Sequence, residues 1–407
     1  MSQNGGNGSN GSDYTHSTRY PVVNLGNGKE EALARRLAFP YKFPRDLRQM
    51  GGKFTVKESA ERLQRFFYFE RRLSHALGSW TLAIPEFEVK LETGRHIFWH
   101  MDAAHTLRTR LSEQERGLSI IDGYRNDEIE RRNDEIERVI EEALSAHDTP
   151  ELLVGIHRVL GRALETVYRH HIDDTDPITD APTIRALRRI LLDYEPMLAW
   201  ADAAIEAYVA GGIDESRLGA WEWHLKQLLA SIGGVTGTDP RAKAPEGLRS
   251  VEKPYVRNTE PKRDSRFATF WNTGDYDKAD GTPRYEKDSY EGLRLRFIRT
   301  QRDEVDAIEA FGTFLWDIRF KNFQAEYDLA RVTWDEARHT EIGHRAMLAS
   351  GYEPFELPNR LTGSTCRGPM TDPAPAMAEI NLFGEVGVLK TIHSLIDKAR
   401  EENDTLL

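Results

Sequence analysis

Apolar residues recur at helical spacing along most of this chain. The stretches 56–81, 86–113, 124–146, 151–171, 183–211 and 214–232 each carry an apolar stripe, the signature of an amphipathic helix. Loop signals separate them, among them Ala83-Ile84-Pro85 and the polar run from Asp173 to Pro182. From Gly233 to Gly292 the pattern lapses into Gly, Pro, Asp and Lys, and this segment reads as a long irregular linker packed in part through Phe267, Phe270 and Trp271. Helical periodicity resumes at 293–319, 323–349 and 376–402, with a hairpin turn expected near Arg319 to Asn322. No run alternates with period two as a half-buried strand would. The expected fold is all-α: a tail over 1–54, a helical bundle over 55–232, a linker over 233–292 and a second helical half over 293–407.

A seven-residue repeat interrupts this reading. Arg125 to Arg131 recurs unchanged as Arg132 to Arg138. With one Ile per heptad it lacks the apolar seam of a coiled coil and reads as a solvated helical arm.

Composition narrows the chemistry. Lys and Arg number 55 against 66 Asp and Glu, a formal charge of -11. That balance opposes a nucleic-acid partner, which needs clustered basic surface. No apolar run approaches the ~18 residues that cross a bilayer, so no membrane partner is expected. The Gly/Asn/Ser-rich start has no apolar core of a secretory signal and reads as disordered. Cys366 is the single cysteine, which excludes a disulfide framework, a cysteine zinc site and an iron–sulfur cluster within one chain. A cytoplasmic location is the expectation that follows. Any metal chemistry must then use Glu, Asp and the 13 histidines.

The segment Trp334-Asp-Glu-Ala-Arg-His339 places Glu336 and His339 on one helical face. At ~100° per residue with Glu336 at zero, Leu329, Val332, Gly343, Ala346 and Met347 fall within roughly 80° and His339 at about -60°. A second Glu-x-x-His, Glu341 and His344, falls ~140° and ~80° away and reads as solvated surface. In the preceding helix Glu304 centres on Leu293, Phe297, Ala307, Ile308, Phe311, Leu315 and Ile318, whereas Glu309 lies ~140° off and is kept as an alternative. In the last helix Glu385 centres on Ala378, Leu382, Val388, Leu389, Ile392, Ile396 and Ala399, each within ~60°. A glutamate on an apolar face is expensive unless paired or metal-bound. Three in order point to a shared ligand.

The order Glu304, then Glu336-Ala-Arg-His339 within Asp-Glu-Ala-Arg-His, then Glu385 resembles the ferritin-like di-iron carboxylate superfamily over about residues 293–404. The resemblance implies a di-iron centre, or one with manganese, held by Glu304, Glu336, His339 and Glu385, with Glu336 as the bridge. It implies O2 and a small molecule as substrates of an oxygenase or oxidase. A non-catalytic helical scaffold and an iron-storage protein are the rival readings. Phe311, Trp334 and Phe383 are candidate pocket walls. The superfamily pattern has a fourth helix with another Glu-x-x-His, and four of its six ligands are present here. The rest could come from a longer chain, from the N-terminal half or from a second subunit in a homodimer; a single-metal site would not need them.

The N-terminal half offers weaker candidates. Glu70 lies among Leu63, Phe66, Leu73 and Leu77, and Glu92, His96 and His100 share a face with Val89, Trp99, Ala103 and Leu107. Thr93-Gly-Arg-His96 resembles Glu336-Ala-Arg-His339 with Thr93 in place of the glutamate. Two readings stand: a buried polar network that satisfies itself, or a donor set that completes the C-terminal site.

Overall fold

The structure is a computed structural model that describes residues 52–114, 116–117, 121–122, 127–271, 282–286 and 288–406. The tail expected over 1–54 falls outside it as far as residue 51. The fold is all-α. Its principal helices are α1 (Val56–Trp80), α2 (Phe87–Glu113), α3 (Asp127–Leu144), α4 (Thr149–Leu153), α5 (Arg162–Asp174), α6 (Ala181–Ala210), α7 (Glu215–Ser231), α8 (Tyr290–Arg302), α9 (Val305–Asp317), α10 (Phe323–Ala349), α11 (Ala374–Glu379) and α12 (Glu385–Glu401). A π-helical segment, Val154–Gly161, joins α4 to α5, and another, Ile380–Gly384, joins α11 to α12. Among the described residues the only sheet is a parallel pair, Thr269–Phe270 with Asn359–Arg360. No described helix is long and apolar enough to cross a membrane.

The hairpin α1/α2 is the centre of the molecule. One side of it packs on the hairpin α9/α10, closing a four-helix bundle; the other meets α5 and α6. Phe67, Arg71 and Gly78 of α1 face the first pair, through Phe323, Glu326 and Gly312. Phe66 and Glu70 face the second, through Tyr168 and Tyr194. The approach to α9 is closest at Gly78, where an added Cβ would stand 2.7 Å from the Gly312 carbonyl oxygen.

Residues 52–407 form one compact unit. The halves 55–232 and 293–407 are therefore not separate bodies. Their inner faces are one core, because α1 and α2 carry apolar residues on both flanks. The linker is structured where described: Phe267 is buried, Arg263 reaches into the core, and Trp271 is exposed. The repeat is not simply a solvated arm. In its second copy Ile136 is fully buried, and Glu137 takes two hydrogen bonds from Arg72 at 2.6 and 2.8 Å and one from Tyr68 at 2.6 Å. The side chains of the first copy lie outside the described residues.

A helix buried on both sides must pair its polar groups. Arg71 donates to both oxygens of Glu326, at 2.7 and 2.8 Å, and His75 Nε2 lies 2.9 Å from the same carboxylate. Burial holds the His75 imidazole down at about 4, against the pull of Glu326. Burial, helped by Arg62, holds His171 at about 4, against Asp180 and Asp174. Both histidines are thus neutral when folded and bind a proton near 6.5 when unfolded. Between those values the unfolded chain holds more protons, so stability falls as pH falls, by about 1.4 kcal/mol per pH unit for each histidine. Urea midpoints measured from pH 6.5 down to about 4 should drop steadily, and His75→Gln should flatten the slope. A midpoint constant over that window would contradict this assignment.

Candidate metal centre

Glu304 owes its place to a break in the helix. An unbroken helix was expected over 293–319, but α8 stops at Arg302 and α9 starts at Val305. The junction tightens into i→i+3 hydrogen bonds, Glu304 N to Gln301 O at 3.2 Å and Ala307 N to Glu304 O at 2.8 Å. Arg302, fully buried, holds the junction: it donates to the carbonyls of Pro354, Leu357 and Pro358 and to the Asp303 carboxylate. Asn359 Nδ2 donates to the same Asp303 at 2.9 Å. Glu304 thus occupies the N-cap position of α9.

Glu336 and His339 lie one turn apart in the middle of α10, beside that junction. His339 Nδ1 stands 2.8 Å from Glu304 Oε2 and 3.4 Å from Glu336 Oε2. One donor atom from each residue falls within 4.8 Å of the others. Glu304 Oε2 is buried and makes no hydrogen bond, although the imidazole nitrogen is so near. The donor atoms of the three residues face a common space. The side chains of His339, Glu304 and Glu336 are 40%, 22% and 12% exposed, so the centre opens on one side.

The electrostatics favour a cation in that space. The Glu304 and Glu336 carboxylates hold the imidazole up at about 10, so it is an imidazolium here. Burial pushes the Glu336 carboxyl up, and the Glu304 charge adds to it against His339. Two carboxylate oxygens and one imidazole nitrogen with an open side make a donor set suited to iron or manganese. The residues present therefore fit such an ion.

Glu385 begins α12 and faces this cluster without joining the group of three. Partial burial pushes its carboxyl up, and the nearby Glu336 charge adds to that. The face of α12 expected to be buried is largely open: Leu382 is 64% exposed and Leu389 54%, whereas Leu395 and Ala399 are buried. Among the described residues the one long helix packed closely on α12 is α8.

The other candidates lie elsewhere. Glu309 is fully buried, and Lys90 and Arg263 both pair with its Oε1 while Ser364 donates to Oε2. It is neutralised by protein cations and is not a ligand of the centre. Glu92 pairs with Arg95, which also reaches Glu341 at 3.5 Å. Glu70, His96 and His100 face α5, α6 and the π-helical segment, so they do not complete the C-terminal cluster. His344 is not simply solvated: it lies half-buried, 5.4 Å from the Phe87 ring and 5.8 Å from Phe355. Phe311 is core, and Trp334 stacks on Phe98 at 5.0 Å rather than walling a pocket. Phe383 has a side chain outside the described set.

Sequence reasoning missed Glu326, Asp306 and His157, all buried. The first two carried a readable signal, since each shares a helical face with buried positions, Glu326 with Ala330 and Thr333, Asp306 with Ala310 and Thr313. His157 stands in the apolar run Val-Gly-Ile-His-Arg-Val-Leu-Gly. Comparison with family models, with curated proteins and with solved structures gives no match.

Proposed function

We propose that this chain is a ferritin-like metal protein and an oxidoreductase that activates O2 toward a small-molecule substrate. Glu304, Glu336 and His339 would hold the iron, with Glu385 as a further donor and manganese as the alternative ion. The observation that carries this reading is the convergence of one donor atom each from Glu304, Glu336 and His339 within 4.8 Å of one another, with Glu304 Oε2 buried. Bound iron would supply O2 binding and electron transfer. The protein's part is to fix the donors on two packed helices, to release the proton held on His339 when the ion enters, and to keep one side open. The neighbouring cations leave the donors available: Arg95 is drawn to Glu92 and Glu341, and Arg338 to Asp335.

A second reading, a non-catalytic scaffold, has one observation in its favour. An imidazolium between two carboxylates is already a complete ion-paired group. Oxygen uptake separates the two readings. The chain is loaded with Fe(II) without air and then exposed to O2. The enzyme reading expects Fe(II) oxidation and O2 reduction well above the rate of iron in buffer, falling to that rate in Glu336→Ala. Equal uptake by both chains supports the scaffold.

A further inference from the structure

A cavity of about 550 Å³ lies where the linker crosses the ends of α1, α3 and α6. Small-molecule sites have this size. Trp80, the turn from Leu144 to Pro150, Tyr208 and the linker stretch around Tyr255 form its walls. Glu304, Glu336, His339 and Glu385 are not among them, so this cavity is separate from the carboxylate centre.

One wall carries a donor without a partner. Trp80 is 6% exposed, and its indole N–H is buried with no hydrogen bond. A buried indole N–H usually has an acceptor, and leaving it unpaired is costly. Tyr255 of the linker lies parallel to the Trp80 ring, with 8° between planes and 6.5 Å between centroids. Its hydroxyl is anchored on Ser79, at 3.0 Å from Oγ. Two parallel rings beside Pro150 and Ile213 suit a flat apolar body.

Most charges on the walls are already paired. Asp148 accepts from Arg217 at 2.6 Å, and Arg249 donates to Glu151 at 2.7 Å. Glu86 accepts from the Thr149 hydroxyl at 2.9 Å. Burial pushes the Tyr208 phenol up, and the neighbouring Glu86 charge adds to that. Lys253 and Lys262 meet no carboxylate among the described residues. The Lys262 backbone is fixed on both sides: its N–H donates to Leu82 O at 2.8 Å, and its carbonyl accepts from Lys90 at 3.0 Å. Glu252 is the remaining acid of the wall against these two lysines, so one positive charge is left for a ligand to neutralise.

We propose that this cavity binds a small planar aromatic acid as its monoanion. The ring lies against Trp80 and Tyr255, an oxygen at one end accepts the indole N–H, and the carboxylate at the other end faces Lys253 and Lys262. The site does not depend on the carboxylate centre.

The probe is para-coumarate, which carries a phenol oxygen and a carboxylate at opposite ends of a flat body; its methyl ester is the uncharged control. Calorimetric titration of the full-length chain should show one equivalent of para-coumarate bound, and the ester bound more weakly. Trp80→Phe keeps a ring and removes the N–H, and should weaken both ligands by about 2–10-fold. Lys253→Gln with Lys262→Gln should weaken para-coumarate by about fivefold and leave the ester unchanged. Both lysines are exposed, so this variant reads the site even if Trp80→Phe does not fold. Three results would overturn the proposal: no saturable binding of para-coumarate to the wild type, an ester bound as tightly as the acid, or para-coumarate affinity unchanged in the double-lysine variant.

Discussion

Replacing Arg71 with alanine is expected to destabilise the fold by about 3–5 kcal/mol, the cost of leaving a buried charge without its partner. Arg71 is 1% exposed and bidentate to Glu326, which is fully buried. Although burial raises it, Glu326 is held down at about 2 by His75 and Arg71 together, so it is an anion in the folded protein. His75 is neutral and cannot replace the guanidinium. The pair also ties α1 to the start of α10, the helix that carries Glu336 and His339. Urea unfolding gives the number. Replacing both partners by apolar residues, Arg71→Met with Glu326→Leu, should recover much of the loss. A single Arg71→Ala loss below about 1 kcal/mol, the range of exposed ion pairs, would show that this pair is not the buried joint described.

The second large effect concerns metal affinity. Losing a group that only orients a metal ligand costs about 10–100-fold; His339→Ala removes a ligand and should exceed that range. Glu304→Ala should act alike, since both donors converge on one space. Glu309→Gln should leave affinity unchanged, although Glu309 is the more deeply buried glutamate of α9. Competition with a metal-binding dye on the reduced, Fe(II)-loaded chain reads all three. Comparable losses in Glu309→Gln and Glu304→Ala would mean that the two carboxylates have been assigned the wrong roles.

That contrast shows what was legible in the sequence. Helical-wheel position separated Glu304 from Glu309, and it chose the residue that meets Glu336 and His339. Its premise was nonetheless incomplete. Glu304 sits at a helix break, and Glu309 is buried as well, on a face turned to Lys90 and Arg263. Periodicity reports which positions along one helix share a face. It does not report which neighbour covers that face, nor whether the neighbour brings a cation. The break at Asp303 depends on Arg302 meeting carbonyls more than 50 residues away, which local sequence cannot reveal. The same limit explains α12, whose apolar stripe was read correctly as a stripe but has little of the described chain against it. It also explains the division into halves. One apolar flank of α1 was visible as Leu63, Phe66, Leu73 and Leu77 around Glu70. Only tertiary packing shows that one flank takes α5 and α6 and the other takes α9 and α10.

The central claim is that Glu304, Glu336 and His339 hold a metal. The most direct test is the iron and manganese content, per chain, of protein expressed with ample iron and purified without chelator, as wild type and as Glu336→Ala. The wild type is expected to retain about one or two ions, and a Glu336→Ala chain that remains helical is expected to lose them. A wild type free of both metals, or a variant that keeps as much as the wild type, would contradict it.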